Sequence, residues 1–113
     1  MAGLFLGIDA GTTAVKAVLF NESGKPLRSS SREGEIVFIE GGGAEIDLEA
    51  YWDLTADCVH AITRSDGIDK NDIKALAVSA QGVTFAPVDG GGGRCGPPFH
   101  TWTGAARRRL KSL

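Results

Sequence analysis

The sequence predicts an α/β fold, a mixed sheet with one main helix packed on one face. Three observations predict it. Two short β-favouring runs come first, at Leu4 to Ile8 and Ala14 to Phe20, and a polar stretch read as strand follows at Leu27 to Arg32. One segment of helical periodicity follows, from Leu48 to about Arg64. Two more apolar runs, Ala75 to Ala80 and Val83 to Val88, complete the order β-β-β, helix, β-β.

Each element has a local reason. Leu4 to Ile8 is apolar and ends at Asp9. Ala14 to Phe20 alternates, with Val15, Ala17 and Leu19 on one face and Lys16, Val18 and Phe20 on the other. Asn21-Glu22-Ser23-Gly24-Lys25-Pro26 is a turn, since Asn and Ser bond locally and Gly supplies a positive φ. Leu27 to Arg32 reads as a polar, exposed strand and Ile36 to Ile39 as a short apolar one. Gly41-Gly42-Gly43 marks a flexible loop. Asp47 is the expected N-cap of the helix, whose stripe of Leu48, Trp52, Thr55, Val59 and Ile62 faces the core. Trp52 fills space under the helix in this reading, and Cys58 is a small buried thiol. Ser65-Asp66-Gly67 stops the helix, with Gly67 as its C-terminal cap residue. Gln81-Gly82 interrupts the last two runs, Pro87 favours an edge, and Asp89 to Gly93 is a turn.

Composition narrows the function classes. The chain has 113 residues, within the range of one domain, and its 42% hydrophobic and 23% charged content is that of a globular protein. A net charge of −2 gives no electrostatic argument for nucleic acid or an anionic membrane. No apolar run approaches the ~20 residues that span a bilayer, and no signal-peptide pattern opens the chain. Cys58 and Cys95 form no C-x-x-C, so a cytoplasmic location is the default expectation.

Gly7-Ile8-Asp9-Ala10-Gly11-Thr12-Thr13-Ala14-Val15-Lys16 is the segment richest in chemistry. It sets a carboxylate, a glycine turn and two hydroxyls between two strands, as a hairpin that holds phosphates would. Gly11 can take a positive φ and leaves room for a phosphate. Turn N–H groups and the Thr12 and Thr13 hydroxyls can donate to phosphate oxygens, and Lys16 can add a counter-charge. Asp9 offers a hard oxygen ligand for Mg²⁺ or for a water on it. No Walker G-x-x-x-x-G-K-[ST] is present, and the strand after Gly11 argues against a dinucleotide fingerprint.

Two further segments follow in order. Glu45-Ile46-Asp47 leads into the helix carrying Trp52, and Ala75-Leu76-Ala77-Val78-Ser79-Ala80-Gln81-Gly82-Val83-Thr84 precedes Val88-Asp89 and a Gly-rich turn. Together with the first motif, these strongly resemble the N-terminal part of the FGGY carbohydrate kinases, which include glycerol kinase, xylulokinase and gluconokinase. The resemblance covers roughly residues 4 to 102. It implies an RNase H-like (actin-like ATPase) fold, present as a partial N-terminal domain. It also implies phosphoryl transfer from ATP-Mg²⁺ to a sugar or polyol hydroxyl. Asp9 then matches the family's acidic residue near the metal. Gly11, Thr12 and Thr13 match its phosphate turn, and Lys16 a position where a basic residue is frequent. Gln81 and Gly82 lie where family members approach the sugar, and an amide suits a polyol because it donates and accepts.

The resemblance also sets bounds. Family members run to several hundred residues, with the catalytic base, an Asp, and most of the adenosine pocket beyond the region matched here. No catalytic residue is therefore assigned in this chain, and the isolated 113 residues are expected to lack useful kinase activity. After Trp102 the family's W-x-D-x-R is replaced by Trp102-Thr103-Gly104-Ala105-Ala106. Residues 103–113 form a basic tail unlike the family, solvated and disordered in expectation, as if the reading frame broke near Trp102. A truncated sheet would expose apolar surface, so self-association is expected.

Ordinary readings compete at several positions. Asp9 with Gly11-Thr12-Thr13 is also acceptable turn chemistry, Lys16 an exposed strand lysine, and Gln81 a strand-end cap. Glu45 and Asp47 read as loop and cap residues, and His60 and His100 lack ligand spacing. Two other functions stay open: a non-catalytic remnant or binding module, and a piece of an actin- or Hsp70-like ATPase. Gln81-Gly82 argues against the latter, which has no sugar to contact.

Overall fold

The computed structural model describes residues 3–35, 37–39, 43–80, 84–85, 88–93 and 99–100. Strands β1 (Leu4–Ala10), β2 (Ala14–Phe20) and β3 (Pro26–Glu33) form an antiparallel meander. After a short hairpin of β4 (Val37–Ile39) and β5 (Gly43–Glu45), helix α1 (Leu48–Thr63) carries the chain back. Strand β6 (Ile73–Ala80) then joins β1 in parallel, giving a four-stranded mixed sheet of order β3-β2-β1-β6. A parallel pair needs a long crossover, and α1 lies within it. Two short strands, β7 (Thr84–Phe85) and β8 (Phe99–His100), pair antiparallel with each other.

The alternation read from β2 sets the layers. Val15, Ala17 and Leu19 are fully buried with Cys58 and Ile62 of α1, and Leu4 and Leu6 of β1 are buried beside them. The Cys58 thiol lies 3.1 Å from the Ser30 carbonyl and 3.5 Å from that of Val15, so its one S–H faces carbonyls of both β2 and β3. Asn21 organises the β2–β3 turn as expected: its side-chain oxygen accepts from the N–H groups of Ser23 (3.1 Å) and Lys25 (2.9 Å), and Gly24 has φ 78°. Asp47 caps α1, its carboxylate accepting from the N–H groups of Glu49 at 2.9 Å and Ala50 at 3.2 Å. The turn at Asp89 is held the same way, its carboxylate accepting from Gly91 and Gly93.

Several expectations are corrected. Trp52 is not core; it is 70% exposed, while Tyr51, one residue earlier, packs against the core cluster with Cys58 and Ile62. Successive helical residues are about 100° apart around the axis, so the expected stripe is out of phase with the buried face in the first turns. The cause is tertiary: α1 sits over β2 and β3, which leaves Trp52 overhanging β1 and β6. Gly67 is not the cap residue. Arg64 fills that position, and Gly67, at φ 80°, turns the chain three residues later. Gly43 opens β5 rather than ending a loop, and Gly41 and Gly42 lie outside the described residues. Strand β6 begins two residues earlier than its apolar run, at Ile73. Val83, Ala86, Pro87 and the 103–113 tail also lie outside the described residues.

The sheet is covered unevenly. Every residue of β6 after Ile73 is exposed, including Leu76 at 61% and Val78 at 59%. With Leu6, Ile8, Trp52 and Val59 these two line an apolar groove of about 520 Å³. Among the described residues, no helix is long and apolar enough to cross a membrane.

Candidate functional site

The β1–β2 hairpin closes at Gly11, whose N–H donates to the Ala14 carbonyl at 3.0 Å. Thr12 and Thr13 form the loop between these paired residues. The reason for glycine differs from the expected one. Among the described residues only Gly24, Gly67 and Gly92 have positive φ, so Gly11 does not. A Cβ on Gly11 would instead lie 2.7 Å from the Ala14 carbonyl oxygen, closer than real Cβ contacts allow. The Gly11 N–H is also spent on closing the hairpin and is not turned toward a ligand.

Two distant elements fasten the same turn. The Gly34 N–H, just past β3, donates to the Thr13 carbonyl at 2.8 Å. The Tyr51 hydroxyl, in the first turns of α1, donates to the Gly11 carbonyl at 2.6 Å. Burial pushes the Tyr51 phenol above its ordinary pKa, and the Asp9 carboxylate adds to that rise, so the hydroxyl stays a donor at neutral pH. Sequence reasoning missed both fasteners. The available signal was a tyrosine beside the tryptophan, an amphipathic ring whose hydroxyl seeks a partner when half-buried.

Asp9 and Lys16 stand opposite each other across β1 and β2, and Ser79 of β6 is the parallel partner of Asp9. This row lies on the sheet face away from α1, with Gly7, Val18 and Phe20 around a shallow depression of about 330 Å³. Lys16 is exposed there, within the strand and across from the carboxylate rather than at the turn. The α1 side is chemically different. Thr12 borders a hollow of about 540 Å³ that also takes in Glu33, Glu35, Asp47, Asp53 and Asp57. Those carboxylates repel an anion, so phosphate is favoured on the face that holds Lys16.

A magnesium ion fits this donor set only in one manner. Among the described residues no group of three or more His, Cys, Asp or Glu is placed to hold a metal. Mg²⁺ keeps several waters and takes one or two carboxylates plus phosphate oxygens, so Asp9 alone suits an ion arriving on a phosphate. His60 is exposed on α1, away from this row. Gln81 and Gly82 lie outside the described residues. Their neighbour is informative: Ala80, the residue before Gln81, pairs with Ala10, the residue before Gly11.

Residues 4–97 match the family model described as the FGGY family of carbohydrate kinases, N-terminal domain. A Haemophilus influenzae protein named "Probable L-xylulose kinase" is 36% identical over 78 residues, which cover 69% of this chain and 16% of that protein. A glycerol kinase of Coxiella burnetii is 37% identical over 84 residues, 74% of this chain and 17% of its own length. The chain thus spans only about a sixth of these relatives, 16% and 17%. Among solved structures, gluconate kinase from Lactobacillus acidophilus superposes with a TM-score of 0.81 at 23% identity, covering 99% of this chain and 22% of that one. The ligand-bound xylulose kinase from Lactobacillus acidophilus gives 0.80 at 23% identity, with 97% and 22% covered. The fold is accordingly a partial RNase H-like, actin-like ATPase domain.

Proposed function

Because this chain belongs to the FGGY family of carbohydrate kinases, we propose that its β1–β2 hairpin supplies the phosphate side of an ATP-dependent sugar or polyol kinase site. The observation that carries this reading is the parallel β1–β6 register. It ends both strands side by side, with Ala10, the residue before the Gly11 turn, paired to Ala80, the last residue of β6. Ligands of open α/β sheets bind outside the carboxyl ends of such strands. One segment then serves the nucleotide and the other the acceptor.

Phosphoryl transfer demands mainly positioning and neutralisation of charge on the transferred group. In this proposal Thr12 and Thr13 hold phosphate oxygens through hydroxyl and main-chain donors. Gly11 keeps the turn narrow. Lys16 offsets negative charge from the strand face, and Asp9 orients the water shell of a nucleotide-borne Mg²⁺. The ion supplies neutralisation of the phosphates when bound. Gln81, with Gly82 beside it, hydrogen-bonds the acceptor's hydroxyls. The kinds of relative matched, glycerol and xylulose kinases, favour a polyol or sugar acceptor. No residue of this chain is proposed as the base that takes the acceptor's proton. At net charge −2 neither nucleic acid nor a membrane is proposed as a partner, and the proposed setting is the cytoplasm.

Calorimetric titration with ATP-Mg²⁺ tests the site. Binding by the wild-type chain, weakened about tenfold or more in Asp9→Ala, is expected from losing one charged contact. Equal affinity in the two proteins, or none in either, refutes the reading. In a coupled ADP-release assay across a sugar panel the 113-residue chain is expected to stay at background. The exposed β6 surface supports a second proposal, that copies of the chain self-associate.

A further inference from the structure

We infer that Tyr51 is a positioning residue for the phosphate turn, its hydroxyl fixing the direction of the Gly11–Thr12 peptide. This deepens the kinase reading above and rests on it for its functional consequence. A trans peptide is planar, with its C=O and N–H pointing in opposite directions. The Gly11 carbonyl is drawn toward α1 by the Tyr51 hydroxyl, 2.6 Å away. The Thr12 N–H of the same peptide is therefore aimed away from α1, toward the side of the sheet that carries Asp9 and Lys16.

The hydrogen bond matters here because the residue is glycine. Without a Cβ, Gly11 resists a peptide flip less than any other residue would. Hydrogen bonds fix the chain on either side of it: the Gly11 N–H holds the Ala10–Gly11 peptide to Ala14, and the Thr13 carbonyl holds the Thr13–Ala14 peptide to Gly34. A flip of the Gly11–Thr12 peptide would exchange donor for acceptor and present a carbonyl oxygen to an anion. Tyr51 opposes that flip from a rigid base. Its N–H makes a 2.9 Å helical bond to the Asp47 carbonyl, and its carbonyl accepts the Thr55 hydroxyl at 2.9 Å. The acidic hollow on the α1 side supplies the electrostatic contrast, since an anion is excluded there.

Tyr51→Phe, which keeps the ring and removes only the hydroxyl, is the test. Three readouts are taken on the full chain: the Gly11 carbonyl ¹³C shift, the Thr12 amide ¹⁵N shift, and ATP-Mg²⁺ affinity. Tyr51→Phe is expected to move both shifts and weaken ATP-Mg²⁺ about two- to tenfold. Asn21→Ala, which loosens the β2–β3 turn at the far end of β2, is the control expected to leave all three at wild-type values. An unmoved Gly11 shift in Tyr51→Phe overturns the inference. So does wild-type nucleotide affinity despite a moved shift, or the same changes in Asn21→Ala. If the wild-type chain binds no ATP-Mg²⁺, the kinase reading fails, and the two shifts alone then decide whether Tyr51 holds the peptide.

Discussion

Gly11 illustrates how much a single position can be read, and how far. Its importance was legible, because glycine between two β-favouring runs marks a tight turn. Its reason was not legible, because a close approach to the Ala14 carbonyl depends on how the two strands meet. A positive φ was expected, and a 2.7 Å steric limit was found. The distinction has a consequence for mutation. A residue that needs positive φ can be replaced by Asn at modest cost, whereas a steric limit against backbone penalises every side chain. Gly11→Ala is expected to destabilise the chain by about 1–3 kcal/mol through forced backbone displacement, read as a lower urea midpoint. An unchanged midpoint would show that the hairpin yields freely. Asp9 and Lys16 were legible as chemistry, but their pairing across β1 and β2 required the register.

The elements were mostly legible because their signals are local. Alternation in β2, the Asn21 turn and the Asp47 cap each depend on a few neighbouring residues, and each is found in the expected place. The Asp47 cap should contribute about 1 kcal/mol, so Asp47→Ala is expected to lower the urea midpoint without changing the slope. A midpoint equal to that of the wild type would mean that water replaces the carboxylate without loss. The phase of α1 was not legible. Leu48, Trp52, Thr55, Val59 and Ile62 make a coherent stripe, and so do Tyr51, Cys58 and Ile62. The choice between them depends on which strands lie beneath the helix. That they are β2 and β3 is a fact of topology, not of periodicity.

The whole molecule is asymmetric in how well it is finished. One half of the sheet is sealed by α1, and the β6 edge is bare among the described residues. Strand β6 has a single charge, Lys74, and no proline, so it carries few of the features that keep edge strands apart. Sedimentation velocity is expected to show concentration-dependent association of the wild type, reduced in Leu76→Lys, which sets a charge into the exposed apolar row. A wild type that stays monomeric across the concentration range would remove the proposal. The family and the mixed sheet were legible from ordered motifs, whereas the uneven cover was not, because burial is a property of partners rather than of β6 itself.

The bond from Tyr51 to Gly11 joins positions 40 residues apart, and it therefore orders events in time. The hairpin between β1 and β2 is local enough to form within microseconds once both strands exist. Its turn cannot acquire the tyrosine fastener until a loop of that length has closed, which carries a chain-entropy cost and follows helix docking. During synthesis the strands leave the ribosome well before α1 does. The nascent turn thus passes through a period before the Tyr51 hydroxyl can reach the Gly11 carbonyl. The Tyr51 hold on this corner of the molecule arrives with the helix rather than with the hairpin that forms it.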